Sequence, residues 1–265
     1  MGNKRDPSEK KDRFSPPADE LIGGRQAVLA AISYGKVKRI LLAADSRGEV
    51  IAEISNLAAD KKIPLERLPK NAFQDQAGFI PGHQGVAALV PPYRYSDLDQ
   101  LISASLSQTN PPFLLMLDHL EDPQNLGAIM RTADAAGIDG LIIPSRRAAG
   151  VTAAVRKVAA GAAERVKVAM VTNLSQVASR LKEAGFWLYG AEANGDIPYY
   201  RADYKLPLVL VIGSEGKGLS TLLRKNCDQT LSIPMPGKAV GSLNVSAAAA
   251  VLIYAALGQR EGWSG

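Results

Sequence analysis

The sequence predicts an α/β protein in two blocks, the larger one a mostly parallel sheet with helices on both faces. Three observations lead there. Apolar runs of strand length alternate with segments of helical period through the second half of the chain. A shorter stretch of the same alternation precedes it, set off by paired prolines at Pro91-Pro92 and Pro111-Pro112. The composition, 46% hydrophobic over 265 residues, is sufficient for a core in each block.

Residues 1–20 mix both signs of charge with Pro and Ser and hold no apolar run. They read as a disordered tail, not a signal peptide. The first block covers residues 21–91. Leu21-Ile22-Gly23-Gly24 opens it, and Ala27, Val28, Ala31 and Ile32 follow at helical spacing. Residues 39–43 read as a strand, and Ile51, Ile54, Leu57 and Ala58 as one face of a second helix. Short strands are predicted at 63–67 and 85–90. Residues 92–112 form a linker in which Leu98, Leu101, Ile102 and Leu106 are spaced for a helix. In the second block, 113–265, strands are predicted at 113–118, 140–143, 166–171, 187–191, 208–212 and 231–234. The Ala-rich stretch 245–257 is too short to span a bilayer and reads as a buried helix, so no membrane association is expected.

The net charge of +5 favours a polyanionic partner. Between residues 145 and 167, Arg146, Arg147, Arg156, Lys157, Arg165 and Lys167 face Glu164 as the lone acidic residue. That stretch reads as a phosphate-contacting rim or as a solvated helix face. The single cysteine, Cys227, rules out a disulfide framework within the chain and fits a reducing, cytoplasmic compartment. It reads as a small core residue, and His83 and His119 as structural or as contacts to the polyanionic partner. No His, Cys, Asp or Glu grouping has metal-ligand spacing, so no metal is expected.

Ligands on parallel sheets bind beyond the C-terminal ends of the strands, so the loops that follow strands are where chemistry is sought. Three segments stand out. In residues 117–134 a polar loop with Asp122-Pro123 and Asn125 leads into a helix whose buried face is Leu126, Ile129, Met130 and Ala133. Arg131 lies beside that face. By spacing alone Asn125 is equally a helix cap and Arg131 a solvent-facing arginine. In residues 208–220 an apolar strand enters a turn with Gly213, Gly216 and Gly218, where backbone can approach a ligand. Glu215 in that turn would repel a phosphate and suits a cationic or adenosyl group. In residues 231–246 a strand ends in a Gly/Pro loop, and Ser242 or Asn244 caps the small-residue helix.

In this order the runs DPQNLGAIMRTADAAG, VIGSEGKGLS and IPM…SLNVSAAAA resemble the three motifs of the SpoU/TrmH family, RNA ribose 2′-O-methyltransferases of the knotted SPOUT fold. The first block, with LIGGRQAVLAAI and PGHQGVAALV, resembles the small ribosomal-protein-like RNA-binding domain of the RlmB-type subgroup, which methylates a guanosine of 23S rRNA. The resemblance implies S-adenosyl-L-methionine as cofactor, a trefoil knot and a homodimer with catalytic groups near the subunit interface. It implies catalytic roles for Asn125, Arg131, Glu215, Ser242 and Asn244. It places Gly213, Ile233, Met235, Ser242 and Leu243 around the cofactor. The run 236–241 is one residue longer than the family pattern. A tRNA 2′-O-methyltransferase and a noncatalytic RNA-binding assembly factor are the competing readings. The first block speaks against the former, and the joint presence of Asn125, Arg131 and Glu215 against the latter.

Overall fold

The computed structural model describes residues 19–237 and 241–263. The tail read at 1–20 therefore lies outside the described residues except for its last two positions, and residues 238–240 of the long loop lie outside them too.

The first block runs β1 (Glu20–Gly23), α1 (Arg25–Tyr34), β2 (Arg39–Ala43), α2 (Glu49–Asp60), β3 (Leu65–Leu68), α3 (Lys70–Ala77) and β4 (Val86–Val90). Its sheet has the order β1-β4-β2-β3, with only β2 and β3 parallel. Helices α1 and α2 cover one face around Ile40, Leu42 and Val86, while Phe73 and Ala77 of α3 cover the other around Leu41 and Ala87. Three details differ from expectation. The first strand begins at Glu20, inside the segment read as tail, because Glu20 pairs with Val90. β3 starts after Pro64, whose missing N–H limits it to accepting from Ile40. Helix α3 has no counterpart among the expected elements, since its sequence is polar overall and it buries only Phe73 and Ala77.

The second block runs α4 (Leu98–Leu106), β5 (Phe113–Leu117), α5 (Pro123–Ala135), β6 (Gly140–Pro144), α6 (Ala153–Val158), β7 (Val168–Val171), α7 (Leu174–Glu183), β8 (Trp187–Ala191), β9 (Ile197–Pro198), β10 (Leu208–Ile212), α8 (Thr221–Asn226), β11 (Gln229–Ser232) and α9 (Val245–Glu261). Seven parallel strands take the order β7-β6-β5-β10-β8-β11-β9. Both faces are buried, which is why the strands read as unbroken apolar runs. Leu115 and Leu117 of β5 pack with α5, α6 and α9; Leu114 and Met116 pack with α4, α7 and α8. The helix in the predicted linker is thus part of this block's cover: Leu101 is buried there, and Gly140 leaves room for it. β11 starts two residues before the predicted strand and ends before Ile233. Its polar first residues Gln229 and Thr230 pair with Tyr189 and Gly190, and the chain leaves the sheet just past the end of β8.

Strands β8 and β9 are consecutive in the chain, yet β11 lies between them. The connection 192–196 therefore crosses β11, the strand order expected at the crossing of the trefoil knot that the resemblance implies, a departure from ordinary unthreaded topology. Gly195 allows it: a Cβ there would lie 2.4 Å from the Leu231 carbonyl carbon. Asp196 clamps it, its carboxylate accepting from the Thr230 hydroxyl at 2.7 Å and the Thr230 amide at 3.1 Å. Helix α9 then lies along α5, anchored near its end by Arg260, which donates to the carbonyls of Pro111, Pro112, Tyr204 and Leu206.

The Thr230 bonds hold the Asp196 carboxyl below the ordinary carboxylate range. A depressed carboxyl stabilises the fold above its unfolded pKa, and that contribution is lost as pH falls through the folded value. Thr230→Val is therefore expected to lower the melting temperature at neutral pH. The gap to wild type should narrow as pH drops below about 4, where both chains lose the charged clamp. Thermal unfolding followed by circular dichroism across pH would check this; a gap constant down to pH 2 would contradict it.

Candidate functional site

The loops that follow β8, β10 and β11 converge at the C-terminal edge of the second sheet around a cavity of about 330 Å³. Each loop is shaped by a local necessity. After Ile212 the chain doubles back, and Ser214 bridges Gly218. A Cβ on Gly213 would lie 2.2 Å from the Gly218 carbonyl carbon, so only glycine permits this closure. Gly216 and Gly218 take φ of +80° and +64°, the left-handed region glycine favours. Two carboxylates pin the turn from either side. Glu192 accepts from the Leu219 amide at 3.0 Å, and Asp118 accepts from the Ser220 amide at 2.7 Å. Asp118 is almost fully buried, and its other oxygen faces Nδ1 of His119.

The third loop descends from β11 through Ile233 and Met235 and returns through Ser242 and Leu243 to α9. Asn244, not Ser242, caps that helix, its Oδ1 accepting from the Ser246 amide at 2.9 Å. The Asn244 side-chain nitrogen donates to Oδ1 of Asn125 at 3.1 Å. Asn125 is no cap. Asp122 caps α5, accepting from the Gln124 amide, with Pro123 in the first turn, while Asn125 is buried inside the helix. The pair thus ties the first turn of α5 to the first turn of α9.

Of the residues singled out from the sequence, Gly213, Ile233, Met235, Ser242, Leu243 and Glu215 line the same cavity. Asn125 and Asn244 meet each other beside it. Arg131 does neither: it is exposed on α5, six residues and about 9 Å beyond Asn125, and is absent from the lining. Glu192 and Asp118 are site residues that the sequence reading misses. Each is the first residue past an apolar strand, the signal that would have found them.

The basic stretch is corrected in part. Arg156 is buried and paired with Glu164, and Arg165 is paired with Asp134, because this stretch runs along the seam between the two blocks. Arg146, Arg147, Lys157 and Lys167 have no ion-pair partner among the described residues. His83 makes structural contacts: its Nδ1 accepts from the Gly85 amide at 2.9 Å and its ring packs on Phe73. Burial pushes the Cys227 thiol up to about 12, so it stays protonated and inert at neutral pH. Among the described residues no group of His, Cys, Asp and Glu could hold a metal, and no helix is long and apolar enough to cross a membrane.

Two family models match the chain: the SpoU rRNA methylase family over residues 112–254, and the RNA 2′-O ribose methyltransferase substrate-binding family over residues 21–96. A protein of Staphylococcus aureus named as a TrmH family tRNA/rRNA methyltransferase is 43% identical over 92% of this chain and 97% of its own length. The crystal structure of the SpoU methyltransferase AviRb from Streptomyces viridochromogenes, in complex with AdoMet, superposes with a TM-score of 0.76 at 26% identity, covering 92% of each chain. The TrmH/SpoU tRNA modifying enzyme of A. aeolicus superposes with a TM-score of 0.52 at 29% identity, over 62% of this chain and 83% of its own.

Asn244→Ala removes the α9 cap and the link to α5 together and should cost about 1–2 kcal/mol in chemical denaturation. Asn244→Asp keeps the cap but cannot donate to Asn125, so it should fall between wild type and the alanine variant. Equal stability of the aspartate variant and wild type would mean the link contributes nothing.

Proposed function

The chain belongs to the SpoU rRNA methylase family of RNA 2′-O-ribose methyltransferases, and from that premise we propose that it methylates a guanosine 2′-hydroxyl of 23S rRNA in the cytoplasm. The observation that carries the rRNA reading is the first block. The A. aeolicus tRNA modifying enzyme overlaps only 62% of this chain, whereas AviRb overlaps 92%. We assign residues 21–91 to holding RNA and 113–265 to methyl transfer, with 92–112 between them.

The cavity suits S-adenosyl-L-methionine. Ile233, Met235 and Leu243 offer an apolar wall, while Glu192 and Glu215 put carboxylates at a lining that would repel phosphate but favours a cation. The cofactor, when bound, supplies a methyl group on a positively charged sulfur. Gly213 and Gly218 bring backbone close to it, and Ser242 sits at the rim. Asn125 and Asn244 hold α5 and α9 in register beside the cavity. The remaining task is to orient a weakly acidic hydroxyl and remove its proton. An arginine is protonated at all ordinary pH values. Arg131 therefore acts in our reading as a planar clamp on the neighbouring phosphate and the nascent 2′-oxyanion, while water takes the proton.

Arg131 stands outside the cavity of its own chain, and we assign the protein as a homodimer whose catalytic groups meet near the subunit interface. Supporting this, the outer side of α9 carries Ala247, Val251 and Tyr254 with Trp263 packed beside it, an uncharged face in which Tyr254 and Trp263 are exposed.

Incubation with labelled S-adenosyl-L-methionine and unmodified 23S rRNA should label one guanosine ribose. Transfer to tRNA alone would overturn the rRNA reading. Arg131→Lys should lower kcat by about 10² or more, as loss of a fixed oxyanion donor does; near-wild-type turnover would sink the clamp. Tyr254→Glu should yield a monomer by light scattering, and an intact dimer would refute the assigned face.

A further inference from the structure

A second cavity, of about 360 Å³, opens where the two blocks meet. It is formed by the end of α1 with residues 35–36, by the chain leaving β4, and by residues 163–167 before β7. Lys36, Arg94, Arg156, Arg165 and Lys167 line it against Glu164 as the sole acidic lining residue. Two of these cations are already neutralised, Arg156 by Glu164 and Arg165 by Asp134. Lys36, Arg94 and Lys167 are exposed and have no ion-pair partner among the described residues. Three uncompensated charges therefore share one cleft.

The same cleft presents an aromatic. Tyr34 is 64% exposed, with the Arg165 guanidinium 5.4 Å from its ring centre. Arg165 is fixed in turn by Asp134, so the ring is braced and stands outward. The cleft is also built to keep its shape. Gly35 passes so close to Glu164 that a Cβ would fall 2.6 Å from its carboxylate, and Gly161 likewise admits Ala30 at 2.6 Å. Arg156 adds a bond to the Pro91 carbonyl across the seam.

We propose that this cleft is a second RNA site, holding a phosphodiester backbone on Lys36, Arg94 and Lys167 and a base against Tyr34. A track of cations beside an exposed, braced aromatic is what single-stranded RNA recognition uses, and each base offers a face for stacking. Lys167 precedes β7, so the cleft sits at the N-terminal edge of the parallel sheet, opposite the edge that carries the cavity of the candidate site. The RNA it holds is therefore a segment remote from the reacting ribose. Contacts made equally in the ground state and the transition state lower KM without raising kcat, and the cleft is assigned to this uniform binding, governing affinity and not turnover. The inference rests on RNA being the substrate.

The test compares wild type with Lys36→Ala/Arg94→Ala/Lys167→Ala, with the charge-retaining Lys36→Arg/Arg94→Lys/Lys167→Arg, and with Tyr34→Ala. The probe is unmodified 23S rRNA transcript, with filter binding at several salt concentrations and methyl transfer at varied RNA. The triple alanine variant should bind about tenfold or more weakly. Its log K against log salt should flatten by about 2–3, close to 0.7–0.9 for each phosphate the variant no longer neutralises. KM for RNA should rise with kcat within about twofold, and S-adenosyl-L-methionine affinity should be unchanged. The charge-retaining variant should resemble wild type, and Tyr34→Ala should weaken binding about fivefold or more. Unchanged RNA affinity and salt slope in the alanine variant would overturn the proposal, as would a loss confined to kcat. A wild-type protein that binds no RNA would instead overturn the premise of an RNA substrate.

Discussion

Everything at the C-terminal edge of the large sheet depends on the insertion of β11 between β8 and β9. Parallel strands each deliver one loop to that edge, and here the insertion brings the loops of β8, β10 and β11 side by side. Without it, Ile233, Met235 and Leu243 would have no reason to face Gly213. The crossing is sterically possible because position 195 lacks a Cβ, and it is held by three hydrogen bonds between Asp196 and Thr230. These bonds satisfy backbone donors at the point where two chain segments run too close for any side chain to intervene. Arg260 performs the corresponding task at the far end of α9, where four carbonyls from two separate loops converge on one guanidinium.

The seam between the blocks follows the same logic of close approach plus satisfied charge. Gly35 and Gly161 let α1 lie against the turn before β7, and the buried Arg156–Glu164 pair sits beneath them. A buried ion pair is weak evidence for stability, since desolvation offsets much of the attraction. What it does supply is register. An arginine that must meet both Glu164 and the Pro91 carbonyl admits few relative positions of the two blocks. The orientation of the cationic cleft above the seam is thereby set by residues that are not themselves available to a ligand.

This division explains what the sequence could and could not reveal. Strands β2, β5, β6, β8 and β10 are legible because burial on both faces leaves an unbroken apolar run. Helix α5 is legible because Leu126, Ile129, Met130 and Ala133 repeat at helical spacing. Helix α3 is not, since its burial rests on Phe73 and Ala77 alone. β9 is two residues long and exists only because β11 lies beside it, a tertiary cause with no local trace. At the site, the glycines and the Asn244 cap carry local signatures. The pairing of Asn125 with Asn244 joins residues 119 positions apart, and no spacing rule distinguishes it from two separate caps. The basic stretch misleads for the complementary reason: composition counts charges but does not show which of them are already paired.

The electrostatics of the two cavities then differ in kind. At the C-terminal edge the lining carboxylates are Glu192 and Glu215, with Lys217 as the basic member, whereas the cleft at the seam gathers cations around one neutralised acid. Phosphate is favoured by the second and disfavoured by the first. A protein that must keep an RNA backbone out of a cofactor pocket while gripping it elsewhere needs such a separation of sign. Because exposed charges act over only about 8–10 Å at physiological salt, the two regions sort their ligands independently. Arg131 belongs to neither cavity. It is exposed on a helix tied through Asn125 to the cap of α9, and in the proposed clamp role it would meet an RNA phosphate from outside the cofactor cavity through its planar guanidinium fork.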